Sequence, residues 1–166
     1  MQAWDVVVVG SGIAALRAAI ASSDEGSTVT VLSSTATSSF ADDMIVGGLS
    51  ASLGEPNTSN HVADVHRIGA DLCEADVVTS ATGSAIKHLA ELEKWGLNLR
   101  RDRNGSPHLA QLPGQSNPRT ASTGDSTLRE TRMILQEQCI KRKIPIRGDI
   151  EIVDVVIHKG LSLIHI

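Results

Sequence analysis

The stretch Val6-Val7-Val8-Val9-Gly10-Ser11-Gly12-Ile13-Ala14-Ala15-Leu16-Arg17-Ala18-Ala19 decides how the whole chain is read. Four β-branched residues in a row, with nothing polar between them, predict a buried parallel strand. Gly10 and Gly12 break that strand, and a helix of small residues follows at once. Gly10 permits a tight turn. Gly12 has no Cβ, so a pyrophosphate can lie against bare amides at the positive end of the helix dipole. Ala15 stands at the third-glycine position with Ala14 beside it, and both keep the helix close to the strand. G-x-G-x-x-A is a weak string by itself. Set between a strand and a helix near the start of a chain, it predicts a dinucleotide site built from Gly10, Ser11, Gly12, Ile13, Ala14 and Ala15.

Outward from that stretch, the first helix is expected to run to about Ser23, with Gly26 capping it. Thr28-Val29-Thr30-Val31-Leu32 is the second strand, which completes a βαβ unit. Ser33 follows, where nicotinamide enzymes usually carry an acid for the ribose hydroxyls. A neutral serine can bond a ribose but supplies no charge, so a nicotinamide is not the first expectation. Ser33 to Ser39, including Ser34, reads as a loop of short hydroxyls, suited to lining a ligand or, as the alternative, simply solvated. In Gly47-Gly48 the paired glycines, after an apolar run, predict a close backbone approach, for which a flat ring system is one partner and a plain turn the other.

Composition bounds the function. At 166 residues the chain has the size of one domain and, at 41% apolar content, enough material for a core. A net charge of -4 and 2% aromatic residues argue against a nucleic-acid surface. No run is long and apolar enough to span a bilayer, and no basic segment precedes the first strand as in a signal peptide. Cys73 and Cys139 are far apart and form no C-x-x-C, which fits a reducing cytoplasm. His61 and His66 are five residues apart, not the i, i+4 spacing of metal ligands on one helix face, so no metal site is assigned.

Further along, Val62, Val65, Gly69 and Leu72 predict the apolar face of one helix. A second helix starts at Thr82-Gly83-Ser84, with Ile86, Leu89, Ala90 and Leu92 inward and Gly96 as its cap. Asn104-Gly105 predicts a hairpin with arms at 97–100 and 107–110, its tip carrying the solvated Arg100, Arg101 and Arg103. Leu112 to Thr120 is loop-like, and Arg119 within it could grip a carboxylate or phosphate. Thr123-Gly124-Asp125-Ser126-Thr127 opens a helix through about Arg142, with Asp125 or Ser126 as its N-cap, Leu128, Ile134, Leu135 and Ile140 inward and Cys139 buried. Residues 144–146 and 150–157 are strands, Lys159-Gly160 a turn, and 161–166 a returning arm.

Read together, Gly10, Gly12, Ala15, Arg17, Ala18 and Ala19, then Leu32-Ser33, Gly47-Gly48 and Leu53-Gly54, resemble the flavoprotein subunits of succinate dehydrogenase and fumarate reductase. They resemble L-aspartate oxidase as well. His61, Asp64 and Cys73 fit the same pattern. The resemblance implies an α/β, Rossmann-like FAD-binding domain with a parallel sheet and a small antiparallel meander. It implies FAD with its pyrophosphate over Gly10 to Ala15, its ribose near Ser33 and Ser34, and its isoalloxazine along the loop that contains Ser39 and ends at Gly47-Gly48. Leu112, Gln115 and Arg119 fall on the substrate side. Succinate dehydrogenases often link FAD to a histidine seven residues before the second glycine. That position is Ala41 here, so FAD is expected to be non-covalent.

The resemblance further implies hydride exchange between FAD and a small C4 dicarboxylate. Leu112 replaces the glutamate that the aspartate oxidases use for the substrate amine, which favours a dicarboxylate without one. Aspartate oxidation is the alternative, and a catalytically inactive nucleotide-binding remnant a third reading. An iron-sulfur subunit would be the partner. The location would be cytoplasmic, or peripheral at the inner face of the membrane, without direct membrane insertion. Family members are several times longer. Residues 1–160 are therefore expected to form the N-terminal part of a truncated FAD-binding domain, with 161–166 a non-native or truncated tail and the capping domain, with the catalytic residues, absent.

Overall fold

The computed structural model describes residues 3–34, 47–158 and 161–165. The chain forms two compact units, one from residues 3–34 with 131–158 and 161–165, the other from 47–130.

In the first unit, strand β1 (Val6–Val9) leads through Gly10-Ser11-Gly12 into helix α1 (Ile13–Asp24), and strand β2 (Val29–Leu32) follows. β1 and β2 pair in parallel from Val6 against Val29 to Val9 against Leu32, the arrangement predicted for a βαβ unit. Strand β6 (Ile146–Arg147) adds on the far side of β2, giving the order β1-β2-β6. β2 is therefore central and buried along its length. β1 departs from expectation: it is half-buried, with Val9 59% exposed, because among the described residues it has a neighbour on one edge only. Four valines report a strand's propensity but not how many neighbours cover it.

The α1 exit follows the glycine prediction with one shift. Glu25 is the cap and Gly26 follows it in a left-handed conformation (φ +89°). Gly26 N–H donates to Ser23 O and Ser27 N–H to Ser22 O, which satisfies the last carbonyls. Leu16 and Ile20 of α1, Val31 of β2, and Leu135 and Cys139 of helix α4 (Thr127–Lys141) are all essentially without solvent contact, and Cys139 Sγ lies 3.9 Å from Leu16 O. Full burial of such a side chain is worth roughly 1.5–3 kcal/mol. The expected inward row on α4 is only partly right, since Ile140 is exposed and Thr131 and Gln138 are buried with Leu135 and Cys139. Burial pushes the Cys139 thiol up to about 11, so it packs as a small apolar group. Strands β7 (Asp154–His158) and β8 (Leu161–His165) pair antiparallel as the returning arm requires.

The second unit centres on a small antiparallel sheet, β3 (Leu49–Ser50), β5 (Thr120–Ala121) and β4 (Leu109–Ala110), in the order β3-β5-β4. Neither β3 nor β5 is legible in the sequence, because two-residue strands carry no period. Gly48 exists for this sheet. A Cβ there would stand 2.5 Å from the Ala121 carbonyl oxygen and 2.6 Å from Thr120 Cγ2. Its close approach is thus to the chain's own β5, while a Cβ on Gly47 would meet nothing within 4 Å among the described residues. Gly48→Ala is expected to destabilise the protein by roughly 1–3 kcal/mol through overpacking. A Gly47→Ala control should move the urea midpoint much less.

Helices α2 (Asn57–Ile68) and α3 (Ala75–Lys94) pack on each other in this unit. The expected apolar face of α2 is wrong at its end, since the helix stops at Ile68 and Leu72 is 90% exposed. α3 begins seven residues before the predicted start, at Ala75. Thr79, Thr82 and Ser84 look like a break, but Thr82 is buried and each hydroxyl returns a hydrogen bond to a carbonyl one turn back. The inward row is Val78, Thr82 and Leu89, and Ile86 and Ala90 face outward. Gly96 (φ +116°) follows the cap residue Trp95, as Gly26 follows Glu25. The 101–107 hairpin forms around Asn104-Gly105, with Arg101 and Arg103 exposed, as is Arg100 before it, and Arg101 paired to Glu93.

Candidate functional site

The turn from β1 to α1 is shaped for a phosphate. Gly10 adopts φ +110°, a conformation that disfavours any side chain, and its N–H donates to Leu32 O at 2.7 Å. The first intrahelical bond of α1 runs from Leu16 N–H to Gly12 O, so the amides of Ile13, Ala14 and Ala15 come before it and point out of the helix start. No side chain caps this end, and no acid stands in the first turn. An anion therefore meets donors and a favourable dipole, with no acid in the helix's own first turn to oppose it.

Ser11 and Ser33 lie side by side at the strand ends. Both are buried, with their hydroxyl oxygens 2.7 Å apart. Ser33 N–H donates to Arg147 O and its carbonyl accepts from Ile150 N–H. Ser33 is thus tied into the sheet, and Ser34, which is exposed, is the hydroxyl of the pair that faces solvent. Ser39 and Ala41 lie outside the described residues.

On the second unit the structure brings Gln115 to β3 and β5. Its Nε2 donates to Thr120 Oγ1 at 2.8 Å and to Ser50 Oγ at 3.1 Å, and its Oε1 accepts from Leu112 N–H at 3.0 Å. Gln115 closes its own turn, and Leu112 is exposed at the turn's start. Arg119, 2% exposed, already has a carboxylate from this chain: its Nη1 stands 2.8 Å from Asp64 Oδ2. Neither its Nε nor its Nη1 has hydrogen-bond geometry to an acceptor among the described residues, so the contact with Asp64 is an ion pair. Asp64 also accepts from Ser116 N–H (2.7 Å), Ser116 Oγ (2.9 Å) and Arg67 Nη2 (2.8 Å). These donors, the Ser116 amide first and Arg67 next, hold its carboxyl far below the usual carboxylate range. Sequence reading noted Asp64 as part of a pattern and missed its role. Asn60, Asp64 and Arg67, spaced i, i+4, i+7, were the available signal of a polar helix face.

His61 is buried, and its Nδ1 lies 3.2 Å from Ser52 Oγ. Burial, and then the charge of Arg119, push its pKa down, with Asp64 opposing. A folded-state pKa below the unfolded value of about 6.5 means the unfolded chain binds a proton first as pH falls. Stability is therefore expected to decline as pH drops below about 6.5. A His61→Phe variant should lose that slope in urea titrations from pH 7 to 5.

A FAD binding domain family model matches residues 5–165. The chain belongs to this FAD-binding family. L-aspartate oxidase of Mycobacterium tuberculosis is 35% identical over 140 residues, covering 82% of this chain and 27% of that protein. A fumarate reductase (CoM/CoB) chain of Methanothermobacter marburgensis is 29% identical over 164 residues, covering 96% of this chain and 30% of that protein. Among solved structures, Mycobacterium smegmatis Sdh1 in complex with UQ1 superposes with a TM-score of 0.89 at 25% identity, covering 97% of this chain and 30% of that one. The FAD-binding domain therefore spans under a third of the length of these relatives. It is a FAD-binding domain by family, and the β1-turn-α1 geometry fits that cofactor. No helix among the described residues is long and apolar enough to cross a membrane.

Proposed function

We propose that this domain holds the FAD of an oxidoreductase acting on a C4 dicarboxylate, interconverting succinate and fumarate by hydride transfer. The observation that carries the reading is the uncapped, acid-free start of α1 beyond Gly10 and Gly12, in a chain whose relatives include a fumarate reductase. The amides that follow Gly10 hold the diphosphate, and Ser34, beside the buried Ser11–Ser33 pair, faces the ribose. Gly47-Gly48 is the backbone offered to the isoalloxazine edge. When bound, FAD supplies the hydride donor and acceptor. This chain's residues bind and orient it, with Leu112 presenting an apolar wall to the substrate. The partner is an iron-sulfur subunit, with the protein cytoplasmic and peripheral at the inner face of the membrane.

L-aspartate oxidase is the second reading, favoured by the 35% identity and opposed by Leu112. Both readings take a four-carbon dicarboxylate and differ in the amine. The test uses purified protein loaded with FAD. Acid precipitation should leave the yellow colour in the supernatant, as non-covalent binding requires, and a yellow pellet overturns that part. Succinate or fumarate should perturb the flavin band. Perturbation by aspartate alone would establish the second reading instead.

A further inference from the structure

Three side chains of one α2 face grip a single loop. Asn60 Nδ2 donates to Asn117 Oδ1 at 2.8 Å. Asp64 accepts from the amide and hydroxyl of Ser116. Arg67 Nη2 donates both to Asp64 Oδ1 at 2.8 Å and to Gly114 O at 2.7 Å. Gln115 lies in the middle of the gripped segment, and its amide reaches Ser50 and Thr120 on the sheet. Gly48, two residues before Ser50, is packed against Ala121 beside Thr120. Polar contacts thus run without a break from α2, through the loop, to the strand that follows Gly47-Gly48.

Bonds made by Gln115 alone would close the 112–115 turn but leave residues 116 and 117 without an anchor. Burying a carboxylate for the same purpose is costly unless its charge is compensated, and here three hydrogen bonds from Arg67 and Ser116 and the ion pair with Arg119 compensate it. An apolar contact could bury the loop but could not fix the direction of its amides.

We propose that Asp64 is a positioning residue for the substrate side of the flavin site, latching the 114–117 segment so that Leu112 and Gln115 are presented in one geometry. This rests on the reading above that the 112–119 loop borders substrate and flavin. Arg119 serves the latch, not the substrate carboxylate, and Arg67 is its outer, solvent-facing member.

The test compares FAD-loaded wild type with Asp64→Asn, Arg67→Met and Ser116→Ala. The last two alter an exposed guanidinium and a single hydroxyl, so they keep the test open if Asp64→Asn does not fold. Amide exchange is followed at residues 112–119 and, as a reference, in α3. Visible circular dichroism of the flavin and its dissociation constant are measured on the same samples. Loss of one charged hydrogen bond should speed exchange at Ser116 by roughly tenfold, with α3 unchanged. The flavin dichroism should change while FAD affinity stays within roughly twofold, because the diphosphate grip lies elsewhere. FAD uptake with loop exchange and dichroism both unaltered overturns the positioning role alone, as does faster loop exchange with unaltered dichroism. A wild-type chain that takes up no FAD overturns the functional reading and this role with it.

Discussion

Gly12→Val is expected to abolish FAD binding while leaving the fold intact. Gly12 sits at φ -72° and ψ 176°, ordinary extended backbone that valine adopts freely. Backbone strain therefore contributes nothing to the loss. The effect comes from two methyl groups placed where the diphosphate must approach the amides of Ile13, Ala14 and Ala15. Losing two or three charge-assisted hydrogen bonds to a phosphate should weaken binding by at least ~100-fold, or about 2.7 kcal/mol. Flavin fluorescence titration measures the affinity, and far-UV circular dichroism checks the fold. A variant that keeps its yellow colour and its affinity would end the flavin reading of the β1–α1 turn. Gly10 makes a poorer test, because its φ of +110° means that any substitution also strains the turn.

The second large effect is on stability. Asp64→Ala should cost about 3 kcal/mol, because it leaves the buried Arg119 guanidinium without its counter-charge. The lower end of the range for broken buried pairs applies, since Arg67 in the same cluster is 61% exposed at its side chain and admits water. The double variant Asp64→Leu/Arg119→Met should lie closer to wild type than Asp64→Ala does, because an apolar pair of similar volume removes both desolvation costs. Urea midpoints for the set decide it. If the double variant were as unstable as the sum of its parts, the two charges would not be coupled. The same carboxylate gives an acid signature. Its folded-state pKa is depressed, so its contribution is complete at neutral pH and is lost progressively below about pH 4. That window lies below the one set by His61, and both slopes have the same sign.

The βαβ unit was legible because its signal is local. The valine run, the two glycines and the strand from Val29 each act within a few residues, and the parallel pairing follows from them. The helix exits at Gly26 and Gly96 were legible for the same reason, to within one residue. Features that depend on partners far along the chain were not. β3 and β5 are two residues each and are made by pairing Ser50 with Thr120, seventy residues on. Gly48 carried a correct message, close approach, without the identity of what approaches. Arg119 read as a carboxylate ligand, which it is, but the carboxylate is Asp64. α3 began earlier than expected because threonine and serine hydroxyls that bond their own helix look the same in sequence as those that interrupt one.

The hydroxyl pair formed by Ser11 and Ser33 has a bearing on protein engineering. Converting a fold of this type toward nicotinamide use is commonly attempted by placing an acid after the second strand. Here such a side chain would enter a space already filled by the Ser11 hydroxyl, with almost no water to solvate its charge. Such an exchange would require redesigning position 11 together with position 33, twenty-two residues on.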